Sequence, residues 1–287
     1  MSPFRLIAIT LAADQFTHRI CNSLASELQR SCRGSLNPRV MGRNSSSLLN
    51  STQALLRRLF DDLDYQALAA IYCEEGGEAF WAAHRGPALE LGQRWALACS
   101  KRLSRGGHSL YVGAGVAELA VLVTEVCDLE RQVRVANTNA RECESLNTTL
   151  VGVGLADRLC FQPVDAAQFV ASDPTFVCDH LSVVSVLNDP GTYPNVSGVG
   201  YGRIAPVLLD VEEFALERDR IRKLVTTTMG CLEVPGTITT TVEEVSWFLA
   251  AAAEQGLAIQ ADEEVVPTAI VGDPLGFLRV TRPDSLS

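Results

Sequence analysis

The sequence predicts an α/β fold with a doubly wound, mostly parallel seven-stranded sheet, a C-terminal antiparallel hairpin and an N-terminal helical region. After Gly107, short apolar runs alternate with longer amphipathic segments, as is typical of a parallel sheet with helices on both faces. The last two apolar runs have no helical segment between them, so they are expected to pair as an antiparallel hairpin. Before Arg105 the apolar residues follow helical spacing, and no strand pattern of comparable strength is present.

Residues 1–105 are predicted to form a helical extension, and residues 106–287 a second domain. Leucine and isoleucine recur in the extension about every 3.6 residues, the spacing of helices that bury one face. These residues are Leu55, Leu56, Leu59, Leu63, Leu68 and Ile71. A further helix is expected over 88–103, with Trp95 buried, and the Ser-, Asn- and Gly-rich stretch 34–51 is predicted to be an exposed loop.

The second domain is predicted to alternate strands and helices up to its final hairpin. Short apolar runs indicate strands at 109–112, 132–136, 159–164, 181–187, 237–241, 257–266 and 277–280. Helical periodicity indicates helices at 116–129, 141–151, 211–224 and 242–255. Glycines directly follow two of these helices, at Gly152 and Gly256, where a helix commonly ends.

Composition and charge exclude several classes of protein. Hydrophobic residues make up 47% and charged residues 20% of the 287 residues, which excludes a disordered chain. No apolar run approaches the roughly 20 residues that span a bilayer, so no membrane partner is expected. The formal net charge of −10 argues against binding to phosphates, so no nucleic-acid partner is expected either.

The nine cysteines are scattered, with no CxxC pair and no histidine at zinc-ligand spacing. This pattern predicts no metal site. It fits reduced, mostly buried thiols in a cytoplasmic protein. His108 and His180, which precede two of the predicted strands, are interpreted as structural residues.

The sharpest local feature is the turn Gly113-Ala114-Gly115 between a predicted strand and a predicted helix. Glycines let the backbone approach a ligand closely, and the amides that open the next helix point toward that ligand. Nicotinamide-binding folds use such a turn for pyrophosphate, usually with an acidic residue about 20 positions on, where this chain has Asn137. A tight turn without any ligand is the third interpretation.

The segments that follow this turn resemble, in order and spacing, the motif series of class I S-adenosylmethionine-dependent methyltransferases. The resemblance extends over 107–280 and rests on 113–118, 137–142, 146–147, 154–159, 164–166, 231–236, 256–257 and 276–280. It implies that the second domain binds S-adenosylmethionine. Three positions depart from the family pattern: Tyr111 and Asn137 stand where acids are usual, and Ala117 stands at the third glycine position.

The resemblance also implies roles for individual residues. In the family the glycine turn lies beside the carboxypropyl and sugar parts of the cofactor, the end of strand 2 binds the ribose, and the pair after strand 3 lies beside adenine. The implied cofactor-binding residues are Gly113, Ala114, Gly115, Asn137, Asp165, Ala166 and Asn188. Since a carboxylate makes a charge-assisted bond to a hydroxyl, Asn137→Asp is expected to strengthen binding.

The sequence Asn188-Asp189-Pro190-Gly191-Thr192-Tyr193 resembles the Asn/Asp-Pro-Pro-Tyr motif of methyltransferases that act on nitrogen. It follows predicted strand 4, so Asp189 and Tyr193 are predicted to be catalytic and to face the cofactor methyl, with the loop 190–206 as a wall. The alternative interpretation is an Asp-Pro-Gly turn capped by a packed tyrosine.

The predicted function is S-adenosylmethionine-dependent methyl transfer to a small molecule. The resemblance implies that the N-terminal helices cover the cofactor or shape the acceptor pocket, with Glu78, Phe80, Trp81 and His84 as candidates, but helix packing is the preferred interpretation of these four residues. A non-catalytic binding or scaffold protein on the same fold is the second hypothesis. A nicotinamide-dependent oxidoreductase is the third, disfavoured because no Tyr-x-x-x-Lys pair occurs and the chain has only two lysines.

Overall fold

The computed structural model describes residues 48–72, 77–203, 208–270 and 273–283, with the side chain of Glu78 left out. Four predictions therefore lie outside the described residues in whole or in part: the helical extension up to residue 47, the loop 34–51 up to residue 47, the end of the loop 190–206, and the contribution of Glu78. Cys21, Cys32 and Cys73 also lie outside them. The six described cysteines carry free thiols.

The described elements follow one another in the predicted alternation. The helices are α1 (Asn50–Asp62), α2 (Tyr65–Tyr72), α3 (Gly77–Ser100), α4 (Leu119–Cys127), α5 (Ala140–Gly152), α6 (Ala166–Ser172), α7 (Pro194–Gly200), α8 (Val211–Gly230) and α9 (Val245–Glu254). The strands are β1 (His108–Val112), β2 (Gln132–Ala136), β3 (Phe161–Gln162), β4 (Cys178–Val183), β5 (Leu232–Thr241), β6 (Ala258–Ala261) and β7 (Leu275–Thr281). Single 3₁₀ turns, Val116–Glu118 and Val242–Glu244, lead into α4 and α9.

The strands form one seven-stranded sheet in the order β3-β2-β1-β4-β5-β7-β6. β1 is parallel to both β2 and β4, and β4 is parallel to β5. β7 is antiparallel to both of its neighbours, so the predicted C-terminal hairpin and the predicted fold class are confirmed. This is the architecture implied by the resemblance to class I methyltransferases.

Both faces of the sheet are covered. Leu110 and Val112 of β1 pack in the core formed with α8 and α9, whereas Tyr111 packs in the core formed with α1–α5. This alternation follows from the two-residue period of a strand. Because α1, α2 and α3 share their core with α4 and α5, the described part of the predicted N-terminal extension belongs to the helical layer on one face of the sheet, and the boundary at 105 stays a prediction.

The prediction placed strand 4 at 181–187, which is three to four residues too far along the chain. The strand occupies Cys178–Val183, and the apolar residues after it leave the sheet. Ser185 has a φ of +57°, and the backbone N–H groups of Ser185 and Leu187 donate hydrogen bonds to buried Glu244 at 3.1 and 2.6 Å. A buried carboxylate 57 residues away in sequence therefore ends this strand.

Two short helices were not predicted. Asp165 caps α6 by accepting a hydrogen bond from the Gln168 N–H at 3.0 Å. Helix α7 begins at Pro194 and occupies part of the segment predicted to be an open loop, 190–206. The predicted strands 159–164 and 257–266 are shorter in the structure, because only 161–162 and 258–261 pair with the sheet.

Candidate functional site at the glycine turn

The topology places the glycine turn at the point where strand order reverses. Successive strands lie on opposite sides of β1, β2 on one side and β4 on the other. In open α/β sheets, ligands bind outside the carboxyl ends of the strands at such a point. The turn at 113–115 and the segments that follow β2 and β4 therefore border one edge of the sheet.

Gly113 adopts a backbone conformation that favours glycine. Its φ is +68°, and its N–H donates a hydrogen bond to the Ala136 carbonyl at 2.8 Å. A Cβ built at Gly113 would lie 2.6 Å from Cγ2 of Val186, in the segment after β4. Val186 therefore packs directly against the turn, and no larger residue fits at position 113.

The second glycine is bound to a buried carboxylate. The Gly115 N–H donates a hydrogen bond to Oε2 of Glu118 at 2.7 Å. Glu118 is 7% exposed, and desolvation by burial raises its pKa to about 7. The turn thus holds a carboxyl group that titrates near neutrality.

Asn137 braces the turn. Its Nδ2 donates hydrogen bonds to the Ala114 carbonyl at 2.9 Å and to Oε2 of Glu142 at 3.0 Å. Its Oδ1 accepts a hydrogen bond from the Asn139 N–H at 2.8 Å. The family usually has an acid at this position, whereas here the Asn137 amide joins the end of β2 to the glycine turn. The role of Asn137 in ribose binding stays a prediction.

A second carboxylate, Glu142, reaches the turn from the first turn of α5. Its Oε1 accepts a hydrogen bond from the Tyr72 hydroxyl, and the same hydroxyl accepts one from the Val116 N–H at 3.3 Å. Desolvation by burial raises the pKa of Glu142 and that of Tyr72. A single hydroxyl from α2 therefore contacts both a buried acid and an amide that opens the helical segment after the turn.

Aromatic side chains of the N-terminal helices surround Tyr72. Its ring lies 6.4 Å from Phe80 in a stacked arrangement and 5.3 Å from Trp81 edge-on. Phe80 in turn stacks on His84 at 4.2 Å. Phe80 and Trp81, two of the candidate cover residues, thus contact the tyrosine that touches the turn, and His84 packs on Phe80.

Sequence reasoning missed Glu118, Glu142 and Tyr72. Glu118 lies three residues after Gly115, within reach of a local bond, and Glu142 belongs to the motif series. Tyr72 carries no sequence signal, because it lies 70 residues before its partner Glu142.

Asp165 and Ala166 follow β3, as predicted. The Asp165 carboxylate caps α6, and Ala166 is buried at the start of that helix. Burial raises the pKa of Tyr193, and the negative charge of Asp165 raises it further, so these two predicted site residues lie within electrostatic range of each other. Their contacts with a ligand stay predictions.

The segment after β4 forms the Asp-Pro-Gly turn of the alternative interpretation. Oδ2 of Asp189 accepts hydrogen bonds from the Thr192 N–H at 2.9 Å and from the Thr192 hydroxyl at 2.5 Å. Tyr193 is 8% exposed and packs in the core with α8. Asn188 is half-buried at the same edge. The catalytic roles of Asp189 and Tyr193 stay predictions.

A buried polar network lies between β1, β4 and the helices α3 and α4, and it explains the departure at Tyr111. The Tyr111 hydroxyl donates a hydrogen bond to Oε1 of Glu125 at 2.6 Å, while Oε2 lies 3.2 Å from Nε of Arg131. Cys99, Glu125 and His180 lie close enough for one metal ion, with ligand atoms within 4.8 Å of one another. Both Glu125 oxygens have protein hydrogen-bond partners. We therefore interpret this network as structural.

Comparison with known proteins gives matches among solved structures. No family model matches the sequence, and no curated protein matches it. A candidate O-methyltransferase from Klebsiella pneumoniae is similar at 14% identity with a TM-score of 0.46, covering 79% of this chain and 90% of that one. TrmN from Thermus thermophilus is similar at 13% identity with a TM-score of 0.44, covering 67% of this chain and 48% of that one. This chain therefore spans about half the length of TrmN.

A candidate rRNA-methylase from Clostridium thermocellum is similar at 10% identity with a TM-score of 0.41, covering 66% of this chain and 94% of that one. The prediction that excludes nucleic acid as a partner is therefore wrong, because a protein named as an rRNA-methylase is among the structural matches. Within the described ranges, every helix is too short or too polar to cross a membrane. The chain has the fold of class I methyltransferases, and at these identities the likeness is one of fold alone.

Proposed function

We propose that this chain binds S-adenosylmethionine at the glycine turn and transfers its methyl group. The observation that carries the proposal is the pair of buried carboxyl groups, Glu118 and Glu142, on either side of Gly115. When bound, S-adenosylmethionine supplies a methyl group on a cationic sulfonium. The proposed cofactor-binding residues are those predicted, Gly113, Ala114, Gly115, Asn137, Asp165, Ala166 and Asn188, together with Glu118 and Glu142.

The same pair of acids opposes a nicotinamide cofactor. A pyrophosphate at a glycine turn needs free amide donors and tolerates little negative charge nearby. Here Glu118 occupies the Gly115 N–H, and the charge of Glu142 raises the pKa of Glu118. A cationic or neutral ligand experiences no such repulsion, so the local charge favours S-adenosylmethionine over NAD.

The second candidate is a non-catalytic binding protein on the same fold. It is favoured by the segment after β4, where the Asp189 carboxylate bonds Thr192 within its own turn and Tyr193 packs in the core. If the chain transfers the methyl group as proposed, the role of Asp189 and Tyr193 is to orient the acceptor, because methyl transfer depends mainly on holding the acceptor in line with the methyl group.

Calorimetric titration of the full chain with S-adenosylmethionine, S-adenosylhomocysteine and NAD tests the binding. We expect both sulfur ligands to bind at one site and NAD to give no heat of binding. Tight binding of NAD with no response to the sulfur ligands would overturn the proposal.

Methyl transfer is tested by incubation with S-adenosylmethionine labelled in the methyl group. Parallel reactions contain cellular small molecules and cellular RNA, so that the labelled fraction identifies the acceptor class. The proposal predicts label in one fraction and loss of that label in the Asp189→Asn variant. Binding of the cofactor without label in either fraction would favour the non-catalytic protein.

A further inference from the structure

The Tyr72 hydroxyl lies between two groups that a ligand at the glycine turn is expected to use. One is the Val116 N–H, which opens the helical segment after the turn, and the other is the buried Glu142 carboxylate. The hydroxyl accepts from the first and donates to the second. It thus satisfies a donor and an acceptor that would otherwise be buried without a partner, which costs free energy.

Gly115 leaves the space that this hydroxyl occupies. A Cβ at position 115 would overlap both the Tyr72 hydroxyl oxygen and Oε1 of Glu142. The missing side chain therefore makes room at the turn for a hydroxyl oxygen beside a carboxylate. In the free protein that oxygen belongs to the chain itself.

We infer that Tyr72 is a placeholder for a hydroxyl group of the ligand: a sugar hydroxyl replaces the Tyr72 hydroxyl between Glu142 Oε1 and Val116 N. A sugar hydroxyl offers the same one donor and the same acceptor lone pairs as the phenol. A phosphate offers no proton to the ionised acid. The ligand class that fits therefore carries a sugar hydroxyl, as the nucleoside part of the proposed cofactor does, and Glu142 is the residue that binds that hydroxyl. This inference rests on the proposed function.

The exchange has a consequence for affinity. A ligand that takes this position must first break the Tyr72–Glu142 hydrogen bond, so Tyr72 competes with it. A hydrogen bond to a charged group is worth enough to shift a dissociation constant by roughly tenfold or more. Removal of the hydroxyl alone is expected to remove that competition while the ring keeps its place among Phe80 and Trp81.

The test is the binding of S-adenosylhomocysteine to the Tyr72→Phe variant of the full chain, measured by calorimetry. We expect the variant to bind about tenfold more tightly than the parent. Tyr65→Phe is the matched control, because Tyr65 packs on Trp81 in the same cluster but its hydroxyl bonds the Phe60 carbonyl, away from the turn. This control is expected to bind like the parent.

A second measurement compares the free protein with the ligand-saturated protein. In urea unfolding, Tyr72→Phe and Glu142→Gln should be non-additive in the free protein and additive when S-adenosylhomocysteine saturates it, because the ligand has then displaced Tyr72. If the parent binds the ligand but Tyr72→Phe binds no more tightly, or if the non-additivity persists at saturation, the placeholder role is overturned and the proposed function stands. If no variant binds either sulfur ligand, the proposed function is overturned and this inference with it.

Discussion

Replacement of Glu118 by glutamine tests the charge at the glycine turn. Glu118 is buried, its pKa is raised to about 7 by desolvation, and its Oε2 accepts a hydrogen bond from the Gly115 N–H at 2.7 Å. Glutamine keeps an acceptor of the same length for that N–H. The substitution therefore removes the titration and retains the hydrogen bond.

The size of the effect follows from proton linkage. The folded chain loses this proton at about pH 7, whereas the unfolded chain loses it near the ordinary value of 4.5. Between these values the folded state holds the proton and the unfolded state does not, so the free energy of unfolding falls as pH rises. The difference of about 2.5 pH units corresponds to about 3 kcal/mol, present in full below pH 4.5 and lost above pH 7.

Urea unfolding of parent and Glu118→Gln at pH 5, 6, 7 and 8 measures this difference. We expect the variant to gain stability over the parent as pH rises, by about 3 kcal/mol across the window from 4.5 to 7. Glu144→Gln removes an exposed carboxylate from α5 and controls for the change in net charge. Parallel stability curves for parent and Glu118→Gln over this range would refute the reasoning.

The same group links pH to ligand charge. A cationic sulfonium bound near the turn favours ionised Glu118, whereas the uncharged sulfur of S-adenosylhomocysteine does not. The preference of the parent for S-adenosylmethionine over S-adenosylhomocysteine should therefore increase from pH 6 to pH 8 and stay constant in Glu118→Gln. An equal dependence in both proteins would assign the effect to another group.

Three further substitutions have expected outcomes. Asn137→Asp should destabilise the chain by roughly 1–3 kcal/mol in urea unfolding at pH 8. The Asn137 Nδ2 donates to the Ala114 carbonyl and to Glu142, and a carboxylate at this position would face two acceptors. A more stable variant would show that these hydrogen bonds are absent. Asp165→Ala should weaken S-adenosylhomocysteine binding and also remove the cap of α6, whereas Asp165→Asn keeps the cap. Equal affinity for S-adenosylhomocysteine in the parent and in both variants would exclude Asp165 from the site. Arg131→Met should cost about 3–5 kcal/mol of unfolding free energy because it removes the buried guanidinium that pairs with both Glu125 and Asp179, with exposed Arg134→Met as the control. A loss no greater than that of the control would contradict the structural role of the network.

The sequence by itself determined the fold class and most of the elements. β2 lies at its predicted residues, because a regular alternation of apolar and polar side chains defines both the strand and its faces. The hairpin of β6 and β7 followed from the absence of a helix between two apolar runs. The glycine turn was also readable, because its requirement for missing side chains is local. Each of these features depends on residues a few positions apart.

The tertiary structure alone decided where β4 ends and what surrounds the glycine turn. Val184 and Val186 are as apolar as the strand before them, but Glu244 binds the backbone after β4 and turns it away. From the sequence, Asn137 replaces a ribose-binding carboxylate, whereas in the structure its amide donates hydrogen bonds to both Ala114 and Glu142. Tyr72 reaches its partner across 70 residues of chain. These contacts join segments that the sheet brings together, and their energies arise from burial, which no local pattern records.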